Sequence, residues 1–411
     1  MKIVQSSSMM LNSFLPFSGA VNSSLSLNWR LIFTVFVLIT VGLVMVASAS
    51  IDFAAANYQD PWFLVRRHII YLLLALAGSL VMLAIPTVFW RKYGWMLFLV
   101  SIFFLVIVLI PGVGKRVNGS QRWLQFGPVT LQVSEMVKFC SIVFFASYLS
   151  NSQYFLQTQW RELFKPLLML VLLMWLLLLE PDFGGAVVLA VTVGGMLFLA
   201  GAKLWQCILL LGSGVGILTG LVWFTPYRMQ RLVTYLDPWQ DQFNTGYQLT
   251  QSLIAFGRGE WFGLGLGNSI QKMLYLPEAH TDFIFSIFAE EQGFIGVIIL
   301  LIIFSFMVYL ILLISKKAML RNDTFVALAA FGVAVLFGFQ IMINIGVASG
   351  FFPTKGLTLP FISYGGSSLI INCLLIALLV RLDYDLDLDV ISDKASLGKG
   401  KQQGKKKGNA K

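Results

Sequence analysis

A helix that crosses a membrane needs about 20 consecutive, mostly apolar residues, and this chain of 411 residues offers ten such stretches in succession. They run approximately over 31–50, 68–85, 93–110, 136–149, 166–179, 184–199, 204–224, 283–315, 325–349 and 365–380, the fourth to sixth being short. So dense a series leaves few folds open. Lipid gives no partner to a free N–H or C=O, so stretches of this length cross as helices, which satisfy their own backbone. Composition agrees: 58% of the residues are hydrophobic and only 12% charged, half the charged share of an ordinary soluble domain. A soluble domain, a disordered chain and a collagen are excluded. So is a disulfide scaffold, because Cys140, Cys207 and Cys373 lie inside apolar runs as small core hydrophobes. With only His68 and His280 as histidines, no His/Cys zinc site is expected. The expected fold is all-α, a polytopic integral membrane protein of about ten transmembrane helices with one long outer loop over 225–282.

The first run ends in Ala47-Ser48-Ala49, which resembles a signal-peptidase site. Its length and the nine spans that follow favour a retained anchor. Residues 1–29 read as a flexible cytoplasmic tail and 30–382 as the membrane domain. Residues 383–411, with Asp383, Asp385, Asp387 and Asp389 ahead of a lysine-rich end, read as a solvated, charged cytoplasmic tail without chemistry of its own. The net charge of +10 is a matter of topology and not of nucleic acid. With the N-terminus inside, most of the 29 Lys and Arg residues fall on the inner side, as the positive-inside rule requires. More informative are the cations left outside: Arg66, Arg67, Lys115, Arg116, Arg122, Lys138, Arg228, Arg231, Arg258, Lys272 and Lys355. Each alone could snorkel to lipid head groups; as a group they point to an anionic ligand at the outer leaflet.

The loop over 225–282 is too long to be structureless in a compact protein. In Tyr247–Phe256 the apolar Leu249, Leu253 and Phe256 are four and three apart, which predicts a short helix at the interface. The glycine run Gly257–Asn268 lacks the G-x-G-x-x-G spacing and no strand precedes it, so close backbone packing or a turn is expected. Leu276–Ser286 then sets Asp282 at the mouth of an apolar helix. There a carboxylate serves as a cap or dipole partner, or, partly withdrawn from water, as a general base with a raised pKa. Glu290 and Glu291 follow; a charge at bilayer depth costs about 2.5–3.5 kcal/mol, so at least one should face the bundle interior. Glu135 and Lys138, three apart, share one helical face. They form either a plain ion pair or part of a polar cavity in which Lys138 meets phosphate and Glu135 orients a metal ion or a sugar hydroxyl. Lys355 lies in Pro353–Pro360 between the last two spans, and Ser363–Ser368 opens the final helix. Small residues there allow close helix approach, and backbone N–H groups at that helix start would bind an anion.

Taken in order, Tyr247-Gln248-Leu249-Thr250-Gln251-Ser252, Leu276–Ser286, Lys355-Gly356-Leu357-Thr358-Leu359-Pro360 and Ser363–Ser368 resemble the SEDS family of bacterial cell-wall proteins, over about residues 30–382. Phe256-Gly257-Arg258-Gly259 and the Lys355 motif resemble its division branch more than its elongation branch. The resemblance implies ten membrane helices and a peptidoglycan glycosyltransferase of the bacterial inner membrane, with both termini cytoplasmic. Such an enzyme polymerises lipid II, the undecaprenyl-pyrophosphate-linked disaccharide pentapeptide, on the periplasmic face at the division septum. It also implies a class B penicillin-binding protein and other division proteins as partners, with no nucleic acid and no organic cofactor. Asp282 matches the family's essential aspartate, and Glu135 and Lys138 match a Glu and a Lys of its cavity. Two departures stand out: Gln132-Val133 where Gln-Pro is common, and Glu180-Pro181-Asp182-Phe183-Gly184-Gly185 where Gln-Pro-Asp-Leu-Gly-Thr is common.

On this reading Asp282 takes the proton of the acceptor GlcNAc 4-hydroxyl as it attacks the donor MurNAc anomeric carbon, with inversion. Lys138, Arg122, Lys355 and a divalent cation (Mg or Mn) would offset the charge on the departing pyrophosphate. Ser363, Gln251 and Arg258 complete the candidate substrate contacts. A lipid II transporter would use the same cations, with Asp282 as its gate. Against it, no inverted repeat is visible and the polar residues gather on the outer side. A non-catalytic division scaffold would leave the buried Asp, Glu and Lys without purpose.

Overall fold

The computed structural model describes residues 27–203 and 237–408, except 118–119, 128, 159, 245 and 354–355, together with 205, 206, 212, 216, 220 and 235 as isolated positions. Its helices are α1 (Trp29–Tyr58), α2 (Phe63–Ala84), α3 (Thr87–Leu109), α4 (Val133–Thr158), α5 (Phe164–Leu179), α6 (Phe183–Leu199), α7 (Tyr247–Gly259), α8 (Ile284–Leu320), α9 (Thr324–Ala348) and α10 (Gly366–Gly408). Nine of the ten expected spans fall on these helices, and the expected span over 204–224 lies outside the described residues apart from the isolated positions 205, 206, 212, 216 and 220. The interfacial helix expected from the spacing of Leu249, Leu253 and Phe256 is α7. Helices α1 to α4, α8 and α9 are long and apolar enough to cross a membrane, and α5 and α6 are shorter apolar helices. The protein is a multi-pass membrane protein.

A helix that is apolar all round must lie either in the protein core or in lipid, and both kinds occur. The most apolar window of α4 is 83% buried within the protein, whereas those of α2 and α3 are 22% buried, which makes α4 central and the other two lipid-facing. Around α4 pack α3, α6 and α9; α8 lies on α9, and α10 lies on α2.

One element is absent from the expectations. The segment after α3 folds as an antiparallel sheet in the order β1 (Gly114–Val117), β2 (Ser120–Phe126), β3 (Val129–Gln132). Its register pairs Lys115 with Trp123 and Trp123 with Gln132, and Gly127, at φ +60°, makes the turn between β2 and β3. The sheet is pinned to two helices. The Tyr71 hydroxyl of α2 accepts from the Thr130 amide (3.0 Å). Ser367 of α10 donates to the Thr130 carbonyl (2.8 Å) and accepts from the Gln132 amide (2.8 Å). Strand β3 runs directly into α4, so the departure at Val133 leaves a regular helix start.

On the opposite face the acidic stretch differs from the solvated tail expected of it. Helix α10 continues past 382, and its carboxylates bind neighbouring helices. Asp383 accepts from Asn28 (3.0 Å) and pairs with Lys317; Asp385 accepts from the Thr87 amide (2.9 Å) and hydroxyl (2.7 Å); Asp387 pairs with Lys317 (2.9 Å) and Arg321 (3.0 Å). The aspartates thus tie α1, α3 and α8 to α10 at one end of the bundle.

The other end is organised by a break in α8. Gly293 has φ 65° and ψ −170°, which divides the helix into a short first part and a long spanning part. Such a break frees backbone groups that lipid cannot satisfy. The glycine-rich loop supplies them. Leu264 and Gly265 donate to the carbonyls of Glu290 (3.0 Å) and Glu291 (3.0 Å), and Phe294 and Ile295 donate to those of Glu260 (2.9 Å) and Trp261 (3.1 Å). Close approach makes glycine obligatory: a Cβ on Gly263 (φ +78°) would overlap the Glu291 carbonyl, and one on Gly293 would overlap the Gly263 amide. The two glutamates are buried and spent on the same loop. Glu290 accepts from Ser269 and pairs with Arg258 (3.2 Å), while Glu291 pairs with Lys272 (3.0 Å) and accepts from Ser48 of α1 (2.6 Å).

Gly263→Ala is expected to destabilise the protein by about 1–3 kcal/mol through the imposed backbone strain, read as an earlier melting transition in detergent; an unchanged transition would contradict this packing. Glu291→Ala strands the buried Lys272 ammonium and should cost about 3–5 kcal/mol. Replacing both partners by Met is expected to recover most of that loss, and a double variant no more stable than the single one would argue against the pair.

Candidate active site

Asp282 lies in the turn that leads into α8, two residues before the helix begins. The turn is fixed through its backbone: Phe283 N donates to the Glu278 carbonyl (3.2 Å), Tyr364 N to that of His280 (2.9 Å), and Asn344 Nδ2 to that of Asp282 itself (3.0 Å). The N-cap of α8 is Phe283, without a side-chain capping bond, so the Asp282 side chain does not serve as a cap. Among the described residues no donor bonds its carboxylate. Half-buried, the group is pushed from the ordinary aspartate range up to about 7, first by desolvation and then by the Glu278 charge, with the Arg122 guanidinium acting in the opposite sense.

Arg122 reaches this point from β2. Its Nε donates to the Glu180 carbonyl (3.0 Å), an Nη to the Pro181 carbonyl, and the guanidinium lies 3.8 Å from Asp182. Asp182 in turn caps α6 by accepting from Gly185 N (3.0 Å). Arg122 therefore braces the turn between α5 and α6 while it faces Asp282 electrostatically. Glu180, the acid where the family commonly has Gln, is fully buried, and among the described residues neither carboxyl oxygen is hydrogen-bonded. Desolvation, then the Asp182 charge, push it up to about 9. It is neutral at pH 7 and can stand where a glutamine would.

Glu135 and Lys138 form a buried pair at 2.6 Å near the start of α4. Among the described residues this is the only hydrogen bond Lys138 makes, and Glu135 Oε2 has no partner. Donor and acceptor capacity thus remain for a ligand. Ser363 closes its own turn by accepting from Leu359 N (2.8 Å), Arg258 is paired with Glu290 (3.2 Å), and Gln251 is half-buried on α7. Lys355 lies outside the described residues. Of the sequence candidates, then, Arg122 acts on Asp282 through its charge, while Glu135 and Lys138 pair with each other.

Several neighbours were not foreseen. Glu278 stands four residues before Asp282 and could have been suspected from its charge. Asp182 follows a proline and stands just before the apolar run that opens with Phe183, a helix-start pattern. Asn344 is a polar residue inside an apolar helix, which is itself a signal. For Gly356, against the Asp282 carboxyl, sequence offers only the motif. His280 is lowered by burial and Tyr364 is raised to about 12 by burial, so both are neutral near pH 7. The arrangement presents one half-buried carboxylate able to exchange a proton near neutrality, with a cation in its field. No three His, Cys, Asp or Glu side chains converge as a metal cage among the described residues.

Comparison with known proteins places this geometry. The family model described as "Cell cycle protein", covering FtsW, RodA and SpoVE, matches residues 29–387, which takes in the acidic residues up to Asp387. The chain is 52% identical to the probable peptidoglycan glycosyltransferase FtsW of Saccharophagus degradans over 92% of this chain and 97% of that protein. It is 50% identical to that of Coxiella burnetii over 85% and 94%. Among solved structures it resembles a chain from a study of the structural coordination of polymerization and crosslinking by a peptidoglycan synthase complex (TM-score 0.72, 28% identity, 88% of this chain and 98% of that one). It also resembles the Thermus thermophilus rod shape determining protein RodA (TM-score 0.66, 26% identity, 88% and 98%). A match this long and this close, over the very bundle that positions Asp282, makes the chain a member of the FtsW/RodA/SpoVE family of cell cycle proteins.

Proposed function

We propose that this protein is a peptidoglycan glycosyltransferase that polymerises lipid II, with Asp282 as its general base. The observation that carries this reading is a half-buried carboxylate that no described residue hydrogen-bonds, held near neutrality on one face of a membrane bundle. A base works best when its pKa lies near the working pH. The deprotonated Asp282 takes the proton of the acceptor sugar's 4-hydroxyl. The oxygen bonds to the anomeric carbon of the donor with inversion, and the bond from that carbon to pyrophosphate breaks, releasing the undecaprenyl pyrophosphate. Arg122 and the Lys138 ammonium supply positive charge in a poorly hydrated setting, where it offsets a growing negative charge strongly. Because fewer than three acidic side chains converge among the described residues, a magnesium- or manganese-type ion would be shared between a carboxylate of the site and the substrate's pyrophosphate, a mode these ions commonly use, and no step above depends on it.

Orientation follows from charge. The face carrying Arg30, Arg91, Lys317, Arg321 and Arg381 is the basic one and is cytoplasmic by the positive-inside rule. Asp282 then faces the periplasm, where lipid-linked wall precursor is consumed. With relatives named FtsW, the reading extends to septal wall synthesis at the inner membrane. The partners would be a class B penicillin-binding protein that cross-links the strands, and other division proteins.

Purified protein with its partner transpeptidase should convert labelled lipid II into strands resolved on a gel, and Asp282→Asn should lower the rate about 10² to 10⁴-fold while remaining folded. Near-normal strands from that variant would overturn the base assignment, and lipid II moved across liposomes without strands would make the protein a transporter. The rate should also fall as pH drops below about 7, where Asp282 becomes protonated. Glu278→Gln removes the like charge and should move this acid limb to lower pH; a limb that stays in place would refute the proposed influence of Glu278.

A further inference from the structure

Asp282 is held in place by two features that its own side chain does not reveal. Asn344 is 2% exposed near the outer end of α9. Its Nδ2 donates to two carbonyls, that of Asp282 (3.0 Å) and that of Leu357 (2.5 Å). Both acceptors are oxygens, which fixes the orientation of the amide, and among the described residues its buried Oδ1 has no partner. One turn earlier on the same helix, Gln340 donates to the Thr358 carbonyl (3.0 Å), also with its own oxygen orphaned. A buried acceptor left unsatisfied in an apolar helix is a cost, and it is borne here twice on the face that meets 356–358.

The second feature is Gly356. A Cβ added there would overlap Asp282 Oδ2 and come 3.2 Å from Cγ. Gly356 is exposed and its φ lies outside the left-handed region, so neither backbone conformation nor packing demands glycine. What remains is the space taken by the carboxyl. The amide of Asn344 therefore ties the turn carrying Asp282 to the segment carrying Gly356, and the missing side chain of Gly356 leaves the carboxyl its position.

We propose that Asn344 and Gly356 are positioning residues for the glycosyl transfer, Asn344 fixing the Asp282 backbone against 356–358 and Gly356 leaving the room in which its carboxylate meets the acceptor hydroxyl. The inference rests on the reading of Asp282 as the base. A displacement of about 1 Å at a reacting group can cost 10²-fold in rate, and a methyl group at 356 forces one of that order. Because the displaced atoms are the free end of a side chain, the variant should fold.

Gly356→Ala is the deciding variant, with Asn344→Leu and Gln340→Leu beside it, each assayed for strand synthesis with its partner transpeptidase and for melting. Gly356→Ala should melt with wild type, lose about 10 to 10²-fold in kcat with KM within about twofold, and shift the acid limb of the pH–rate profile as the carboxyl leaves its pocket. Asn344→Leu should move the limb in addition to lowering the melting transition, whereas Gln340→Leu, which holds Thr358 alone, should lower melting without moving the limb. Wild-type kcat and an unmoved limb in Gly356→Ala would overturn the proposal, as would equal shifts in the Asn344 and Gln340 variants. Failure of the base assignment would look different: Asp282→Asn itself would stay active.

Discussion

A helix in lipid cannot be broken unless its freed backbone groups are given new partners within the protein. That constraint, met at Gly293, governs the end of the bundle that carries Asp282. The glycine run over 257–267 is the partner, inserted edge-on so that its amides and carbonyls complete the two helix ends. Only a chain without side chains at 263 and 293 can come that close. Once the break is closed this way, the first part of α8 is free to stand apart from the spanning part, with Asp282 at its mouth. The carboxylates of Glu290 and Glu291 then turn into the protein and not into lipid.

The buried charges follow from the same geometry. Taking an ion pair out of water costs more than its attraction commonly returns, so pairs such as Lys272–Glu291 and Glu135–Lys138 are poor candidates for sources of stability. What they do provide is register. Lys272–Glu291, with Ser48, joins the loop, α8 and α1 at one point, and at the opposite end Asp383, Asp385 and Asp387 join α1, α3 and α8 to α10. With lipid tails as apolar as the helix surfaces, apolar contact gives little preference for one helix neighbour over another. Polar contacts with a single correct partner supply that preference at both ends of the bundle.

How much of this was legible in sequence depended on the period of the signal. The spans were readable because an apolar run has nearly one interpretation once it passes about 20 residues, and α7 was readable because its apolar residues repeat at helical spacing. The glycine run predicts close backbone packing or a turn, and the structure shows the close packing, yet nothing local says that its partner lies some thirty residues away in α8. The sheet over 114–132 was missed for a related reason. Its strands are short and its pairing is set by Gly127 and by contacts with Tyr71 and Ser367, which a linear reading does not bring together. Sequence does not separate Asp383, Asp385 and Asp387 from a solvated tail, because charge spacing looks the same in a tail and in a staple; only the placement of Thr87, Lys317 and Arg321 distinguishes them. Asp282 and Arg122 were both picked as candidates, but that one lies in the field of the other is a fact of the fold.

That field also separates the carboxylates by role. Environment sets which acid is a base, which a neutral donor and which a structural anion, and here the sorting is visible residue by residue. Glu290 is consumed by Arg258, Ser269 and the loop amides, and Glu291 is tied through one oxygen to Lys272 and Ser48. Asp182 is consumed by the start of α6 and by Arg122. Glu135 keeps one oxygen free but is tied to Lys138. Glu180 is unpaired but sealed, so burial drives it up to about 9 and leaves it protonated and unable to accept a proton at neutral pH. Asp282 is withdrawn from water enough to rise to about 7, close enough to Arg122 to be held from rising further, and open enough to be reached. Among these acids it combines a free acceptor, access and a proton affinity matched to neutral pH, and that combination is what a general base for attack by a sugar hydroxyl requires.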